Sequence, residues 1–222
     1  MYLPEHFEES RPEVLRNLIA EHPLGILVTL GSNGLCADHI PFLYETRDET
    51  QGALIGHVAR SNDLWHDTSA ALEVMVIFQG PSAYISPNWY ATKRETHQVV
   101  PTYNYAVAHV YGNLIVHDDA RWTRGVIGKL TKRMEASQPT PWKMADAPRE
   151  FIEEQVQNIV GIEIPISRIV GKWKVSQNRD MADREGAIAG LRQMGGPEEV
   201  AMAALVEARL AESHKRSRDD GD

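Results

Sequence analysis

The chain has 222 residues, 42% of them apolar, which is enough to bury the core of one large domain. A formal charge of −8 argues against a molecule prepared as a whole for polyanions, and the single cysteine, Cys36, excludes an internal disulfide framework and a cysteine-based zinc site. Residues 1–9 show neither a basic nor an apolar leader region, and no window approaches the roughly 18 apolar residues of a membrane span, so a cytoplasmic protein is expected.

Ser10, Pro12 and Glu13 have the pattern of an N-cap, a first-turn proline and a first-turn acid. Val14, Leu15, Leu18 and Ile19 then recur on one face, so a helix is predicted that ends near Pro23. Residues 25–30 read as a strand, Asn33-Gly34 as a type I′ hairpin turn that accepts positive φ, and residues 35–44 as the returning strand. A polar turn at 48–52 precedes a third strand over 53–58, after which Asn62 or Ser61 caps a single helical turn. The apolar stretch 72–78 is broken at Gly80-Pro81, and residues 83–86 resume as strand before Pro87. Short strands and turns at this spacing predict an antiparallel barrel.

Residues 91–101 are polar and aperiodic, a loop of the kind found over ligand sites. Residues 103–117 read as one long strand with Gly112 as a bulge or point of close approach. Asp119 caps a helix in which Trp122, Val126, Leu130 and Met134 recur every four residues. Pro139, Pro141 and Pro148 mark a linker into a short helix through Phe151, Ile152 and Val156, and residues 159–175 form a strand whose Pro165 marks an edge or a bend. Two helices follow, 182–194 and 197 to about 212, separated by Gly195-Gly196-Pro197. The expected organisation is a barrel domain over 1–178 and a C-terminal helical extension with a disordered tail over 179–222. The basic run 214–218 is largely cancelled by Asp219, Asp220 and Asp222 and reads as a solvated tail.

Three strand ends finish in packets of hydrogen-bonding, basic and aromatic residues. In the first, Arg60 offers a guanidinium, Ser61 and Asn62 neutral donors, and the helix start its N–H groups, which together suit a phosphate. A plain strand-to-helix turn with a surface arginine is the competing reading. In the second, alternation puts Tyr84, Ser86 and Asn88 on one side beside Trp89-Tyr90, which suits a flat heterocycle or simply covers a barrel rim. In the third, Lys172, Lys174 and Ser176 share a strand face, with two ammonium groups about 7 Å apart available to a phosphate or to a negative ring position, or simply forming a solvated basic face. No metal-binding histidine spacing, P-loop, dinucleotide fingerprint or nucleophile elbow appears.

The motifs at 1–7 (Met-Tyr-Leu-Pro-Glu-His-Phe), 38–42 (Asp-His-Ile-Pro-Phe), 56–62 (Gly-His-Val-Ala-Arg-Ser-Asn), 84–90 (Tyr-Ile-Ser-Pro-Asn-Trp-Tyr), 100–105 (Val-Pro-Thr-Tyr-Asn-Tyr) and 174–179 (Lys-Val-Ser-Gln-Asn-Arg) resemble, in order, those of the PaiB family of FMN-binding negative transcriptional regulators. The resemblance implies an α+β fold, a predominantly antiparallel split β-barrel of the pyridoxamine-phosphate-oxidase type with peripheral helices. It also implies a homodimer, with FMN in the groove between subunits. By position it implies phosphate contacts at His57, Arg60, Ser61 and Asn62, and further cofactor contacts at Tyr84, Ser86, Asn104, Lys174 and Gln177. DNA is the partner such a regulator implies, yet Glu198, Glu199, Glu207 and Glu212 on the last two helices would meet its phosphates. Two other readings stand beside it: an FMN-dependent oxidoreductase, whose hydride chemistry belongs to the flavin, and a haem-binding split barrel using His39, His57, His97 or His109.

Overall fold

The computed structural model describes residues 1–47, 51–68 and 72–219, with side chains described through residue 212. The polar turn expected at 48–52 lies partly outside these residues. In chain order the elements are β1 (Glu8–Glu9), α1 (Pro12–Glu21), β2 (Leu24–Gly31), β3 (Gly34–Pro41), β4 (Leu43–Glu45), β5 (Ala53–Ala59), α2 (Leu64–Asp67), β6 (Val74–Ile85), α3 (Thr92–Thr96), β7 (Thr102–Gly112), β8 (Ile115–His117), α4 (Ala120–Met134), α5 (Arg149–Gln157), β9 (Ile159–Lys174), α6 (Met181–Met194) and α7 (Pro197–Asp219). The strands form one sheet in the order β3-β2-β6-β7-β9-β5-β4, with β1 and β8 also pairing with β9. This is the expected α+β class with an antiparallel split-barrel sheet. The chain divides into two compact units, one of residues 1–11, 79–107 and 170–222, the other of residues 12–78 and 108–169.

In the second unit, β2 and β3 pair from Leu24↔Pro41 to Gly31↔Gly34, and Ile26–Val28 of β2 pair with β6. The hairpin is as expected but its turn is not type I′. Positive φ falls on Gly34 (98°), while Ser32 and Asn33 keep negative values, so one glycine does what two turn residues were expected to share. Helix α4 is capped by Asp119 Oδ1, which accepts from Trp122 N at 2.6 Å, a contact worth about 1 kcal/mol. Its Val126 and Leu130 pack on Ile55 of β5, each burial contributing roughly 1.5–3 kcal/mol. The helix lies close because residue 161 of β9 has no side chain: a Cβ there would stand 2.3 Å from the Trp122 ring.

Three expectations about strands and loops are corrected. β6 does not break at Gly80-Pro81; its ladder with β2 covers only Met75–Ile77, so the missing Pro81 N–H removes no bond there. The segment 103–117 is two strands, interrupted after Gly112, where a Cβ would lie 2.1 Å from Pro165 O, the close approach expected of that glycine. Pro165 is not at an edge: Ile166 N–H donates to Gly52 O at 3.0 Å on the β5 side. Ala53 of β5 pairs with Pro165, so of the edge or bend expected at this proline the edge is excluded.

In the first unit, α6 ends at Gly195 (φ 72°), whose N–H returns to Leu191 O, and Pro197 opens α7, so the Gly-Gly-Pro break works as a C-cap followed by a first-turn proline. α7 runs to Asp219, beyond the end expected near residue 212. Leu191, Met202, Ala203 and Val206 are buried between the two helices. Gly190 leaves room for Trp89, since a Cβ there would lie 2.2 Å from the indole. The expected loop 91–101 is partly ordered as α3, whose end is turned by His97 at φ 58°. That helix was invisible to periodicity because Thr92 N is held from outside it, by Asp183 Oδ1 at 2.9 Å.

Candidate functional site

In the first unit the end of β9 and the start of β7 converge on a single ordered turn. Gln177 folds back, its Oε1 accepting from Val175 N at 2.7 Å and its Nε2 donating to Trp173 O. Arg184 of α6 donates to the carbonyls of Arg179 and Gln177 and so pins the turn from its far side. At its centre Ser176 takes a left-handed conformation (φ 65°), and its buried Oγ accepts from the equally buried Asn104 Nδ2 at 2.9 Å. Non-glycine residues with positive φ are uncommon and costly, and they collect at functional sites.

Lys174 stands beside this turn. Its Nζ donates to Thr102 Oγ1 and, at 2.7 Å, to Tyr103 O, both of them uncharged. Burial, then the charges of Lys172 and Arg179, push its pKa below the usual lysine range. Lys172, itself buried, is likewise met by neutral groups, donating to Tyr2 O at 2.9 Å and lying over the Tyr2 and Tyr105 rings. Tyr84 and Tyr103 meet edge to face at 5.9 Å and both are exposed. The turn therefore presents an uncompensated cation, two open aromatic rings and a buried amide–hydroxyl pair. Ser86 is nearby in sequence, but its Oγ accepts from Asn88 N and caps the short turn after β6.

In the second unit the expected phosphate residues are held by the protein itself. Arg60 donates through Nε to Gln157 O (2.7 Å) and through Nη2 to Asp118 Oδ1 (2.7 Å) and Ile159 O (3.3 Å), and it lies 5.7 Å from the Trp65 ring. A phosphate at Arg60 would share the guanidinium with Asp118. The residue at the cap of α2 is Asp63, not Asn62 or Ser61 as expected, and its side chain makes no capping bond; Asn62 Oδ1, one residue earlier, accepts from Leu64 N in a turn, and its Nδ2 donates to Asp38 Oδ1. Ser61 is exposed. His57 has a buried Nδ1 with no hydrogen-bond partner, and burial lowers its pKa.

Of the nine residues singled out in the sequence, Tyr84, Asn104, Lys174 and Gln177 share the ordered turn or its immediate contacts. The turn also recruits Thr102, Tyr103 and Ser176, all inside the conspicuous motifs at 100–105 and 174–179, and Arg184, which no motif marked. Among the described residues no group of three or more His, Cys, Asp or Glu is placed to hold a metal ion, and no helix is long and apolar enough to cross a membrane.

The profile of the family described as "Putative FMN-binding domain" matches residues 1–168. The chain belongs to this PaiB-like FMN-binding family. Its cofactor is FMN. It is 30% identical over 211 residues to "Protease synthase and sporulation protein PAI 2" of Bacillus subtilis, the match covering 95% of this chain and 98% of that one. It is 33% identical to "Uncharacterized protein AN0679" of Emericella nidulans, over 94% of this chain and 97% of the relative. Among solved structures, the flavocytochrome Anf3 of Azotobacter vinelandii shares the fold of this FMN-binding chain, with a TM-score of 0.55 at 8% identity over 78% of this chain and 72% of that one.

Proposed function

We propose that the protein holds FMN at the strand-end turn of Tyr84, Tyr103, Asn104, Lys174 and Ser176, and that it acts as a homodimeric, flavin-linked negative regulator of transcription. The observation that carries the first half is Lys174, a partly buried cation whose partners among the described residues are neutral oxygens and whose charged neighbours there are cations. A desolvated positive charge without a carboxylate is costly, and an anionic ligand offsets that cost. FMN offers a phosphate and an electron-poor ring, and when bound it supplies reversible two-electron chemistry. The donor set fits it: Lys174 meets negative charge, the Tyr84 and Tyr103 rings meet a flat heterocycle, and Asn104 and Ser176 keep the turn in place. Within the second unit, His57, Arg60, Ser61 and Asn62 are proposed separately as anion contacts, with Arg60 shared between ligand and Asp118.

The homodimer rests on an open apolar face of the sheet. On β2, Leu27 is fully buried on one side, while Leu24, Ile26, Val28 and Leu30 point to the other. There they are in register with Leu35 and Ala37 of β3 and with Met75 and Ile77 of β6. Leu35 is 80% and Leu30 47% exposed. A contiguous apolar sheet face of this kind marks an association surface, and a second copy with the same face is its self-complementary occupant. The regulatory half is supported by the likeness to the Bacillus subtilis sporulation protein across nearly the whole chain.

Fluorescence titration of the apoprotein with FMN tests the site. Lys174→Gln is expected to weaken binding by roughly 1.5–3 kcal/mol, the scale of a charged hydrogen bond. Unchanged affinity would remove Lys174 from the site, and no affinity in the wild type would remove the reading. Sequence-selective, salt-sensitive retention of DNA supports the regulator, whereas NAD(P)H-dependent bleaching of bound FMN at catalytic rates makes the protein an oxidoreductase.

A further inference from the structure

The second unit carries another set of cations in an unexpected place. α4 has no acidic residue in its first turn; Arg121 stands there instead, and Arg124 follows three residues later on the same side of the helix. The positive end of the helix dipole opposes Arg121 in the first turn, and like charges at this spacing repel, so the pair carries a cost to its own helix. Both side chains are exposed, and neither makes a hydrogen bond or close ion pair among the described residues, although the charge of Arg124, after the bond and charge of Arg149, helps to hold the Glu153 carboxyl below its usual range. They line a groove of about 760 Å³ with Arg149, over a floor that includes Met144, Ala147 and Ile152, and no carboxylate lines it. Among the described residues Arg149 is tied through Nε, to Glu153 at 2.6 Å.

Arg121 and Gly125 also line a second cavity, of about 390 Å³, whose wall is Ile55, Trp122 and Val126. Its charged groups are balanced otherwise: Lys129 pairs with Glu45, Arg47 with Glu163 at 2.7 Å, and Asp119 is occupied as the helix cap. The two hollows meet at Gly125, where an added Cβ would have nothing within 4 Å. The result is one trough with an arginine-lined half free of carboxylates and an apolar, aromatic half, joined over a residue without a side chain.

We propose that this trough is a second ligand site, for a nucleoside di- or triphosphate. Its phosphates lie on Arg121, Arg124 and Arg149, and its base lies across Gly125 against the half-exposed Trp122, which the buried Ile55 and Val126 back. Guanidinium forks bind phosphate oxygens in pairs, and three of them along one groove, of which Arg149 is ion-paired with Glu153, call for a multiply charged group. The adjoining apolar wall calls for a flat body attached to it. A compact ligand is favoured over a long nucleic acid because the molecule carries −8 overall, and an extended polyanion would feel that charge. The site is independent of the flavin reading, since none of its residues belongs to that set.

The test is calorimetric titration of the full chain with ATP, with FMN affinity measured in parallel. ATP is expected to bind saturably, and Arg121→Ala/Arg124→Ala to weaken it at least tenfold while raising the melting temperature of the ligand-free protein, because the pair carries a cost to its helix. Gly125→Leu, which open space and better helix propensity allow to fold, is expected to abolish ATP binding and leave FMN binding unchanged. Absence of saturable ATP binding to the wild type overturns the proposal, as does equal affinity in both variants. Displacement of ATP by FMN would place the flavin itself in the trough, and arginine-dependent binding of duplex DNA without ATP binding would make the surface a nucleic-acid contact; either result overturns the assignment.

Discussion

Ser176 shows how a single residue trades stability for position. Its φ of 65° costs about 1–2 kcal/mol for an L-residue, which glycine would avoid, yet glycine would leave the buried Asn104 amide without an acceptor at about 1–3 kcal/mol. The larger of the two wins, so urea melts should rank wild type above Ser176→Gly, and Ser176→Gly above Ser176→Ala, which keeps the strain and loses the bond. A Ser176→Gly variant at or above wild-type stability would mean that the hydroxyl contributes nothing. His57 gives a pH prediction at the same scale. Burial holds its folded pKa below the unfolded value of about 6.5, so the unfolded chain takes up a proton first as pH falls. Stability is therefore complete above about 6.5 and is lost as pH drops from there through the folded value. Melts of the apoprotein between pH 7.5 and 5.5 should show a shallower loss for His57→Gln than for wild type; His109, lowered by burial in the same way, accounts for a remaining slope.

At the scale of elements, β1 is joined to α7 by a closed ring of charges. Arg11 bonds Glu9 through Nε and Nη2 at 2.8 and 2.6 Å and Glu212 through Nη1 at 2.7 Å, and Arg209 bonds Glu212 at 2.9 Å and reaches Glu9 at 3.5 Å. Burial raises the Glu9 pKa, but the bonds from Arg11 and the charges of Arg11 and Arg209 prevail and hold it below the ordinary range. Such a carboxylate stabilises the fold above its unfolded value of about 4.3 and ceases to as pH falls through the folded one. Glu9→Gln should cost about 2–3 kcal/mol at pH 7, less than a fully buried pair because Arg11 is 41% exposed, and should cost little near pH 3. Equal losses at both pH values would show that packing, not charge, joins the two elements. No sequence pattern announces this ring, since Arg11 and Glu212 lie 201 residues apart. What the residues did announce is local: the Asp119 cap and four-residue period of α4, the Gly-Gly-Pro break, and the Asn104 and Lys174 packets at strand ends. The ordering of α3 by Asp183 depends on a partner 91 residues along the chain, and the passage of β6 through Gly80-Pro81 and the clamp of Arg184 on the carbonyls of Gln177 and Arg179 are tertiary bonding patterns that leave no hydrophobic period, so all three escaped a reading by periodicity.

At the scale of the whole molecule, folding leaves one face of the sheet open. β2 reads as a continuous apolar run, the signature of a strand covered on both sides, but one chain covers only the Leu27 side. The other side, with Val28 at its middle and Ala37 and Met75 in register beside it, stays half-exposed. The net charge of −8 repels a second copy only over about a Debye length, roughly 8 Å at physiological salt, whereas apolar contact contributes about 25 cal/mol per Å² once the faces meet. Light scattering behind a sizing column should give a dimer mass at micromolar concentration. Val28→Lys should halve it, since a lysine at the centre of a desolvated patch would be buried without a partner, while changing the melting point of the single chain little because Val28 is not fully buried there. A monomeric wild type, or a Val28→Lys protein still dimeric, would reject this face as the contact. The same variant also locates the flavin: full FMN affinity in the monomer means that one chain's residues around Lys174 suffice, and loss of affinity in step with loss of the dimer means that the second copy completes the site.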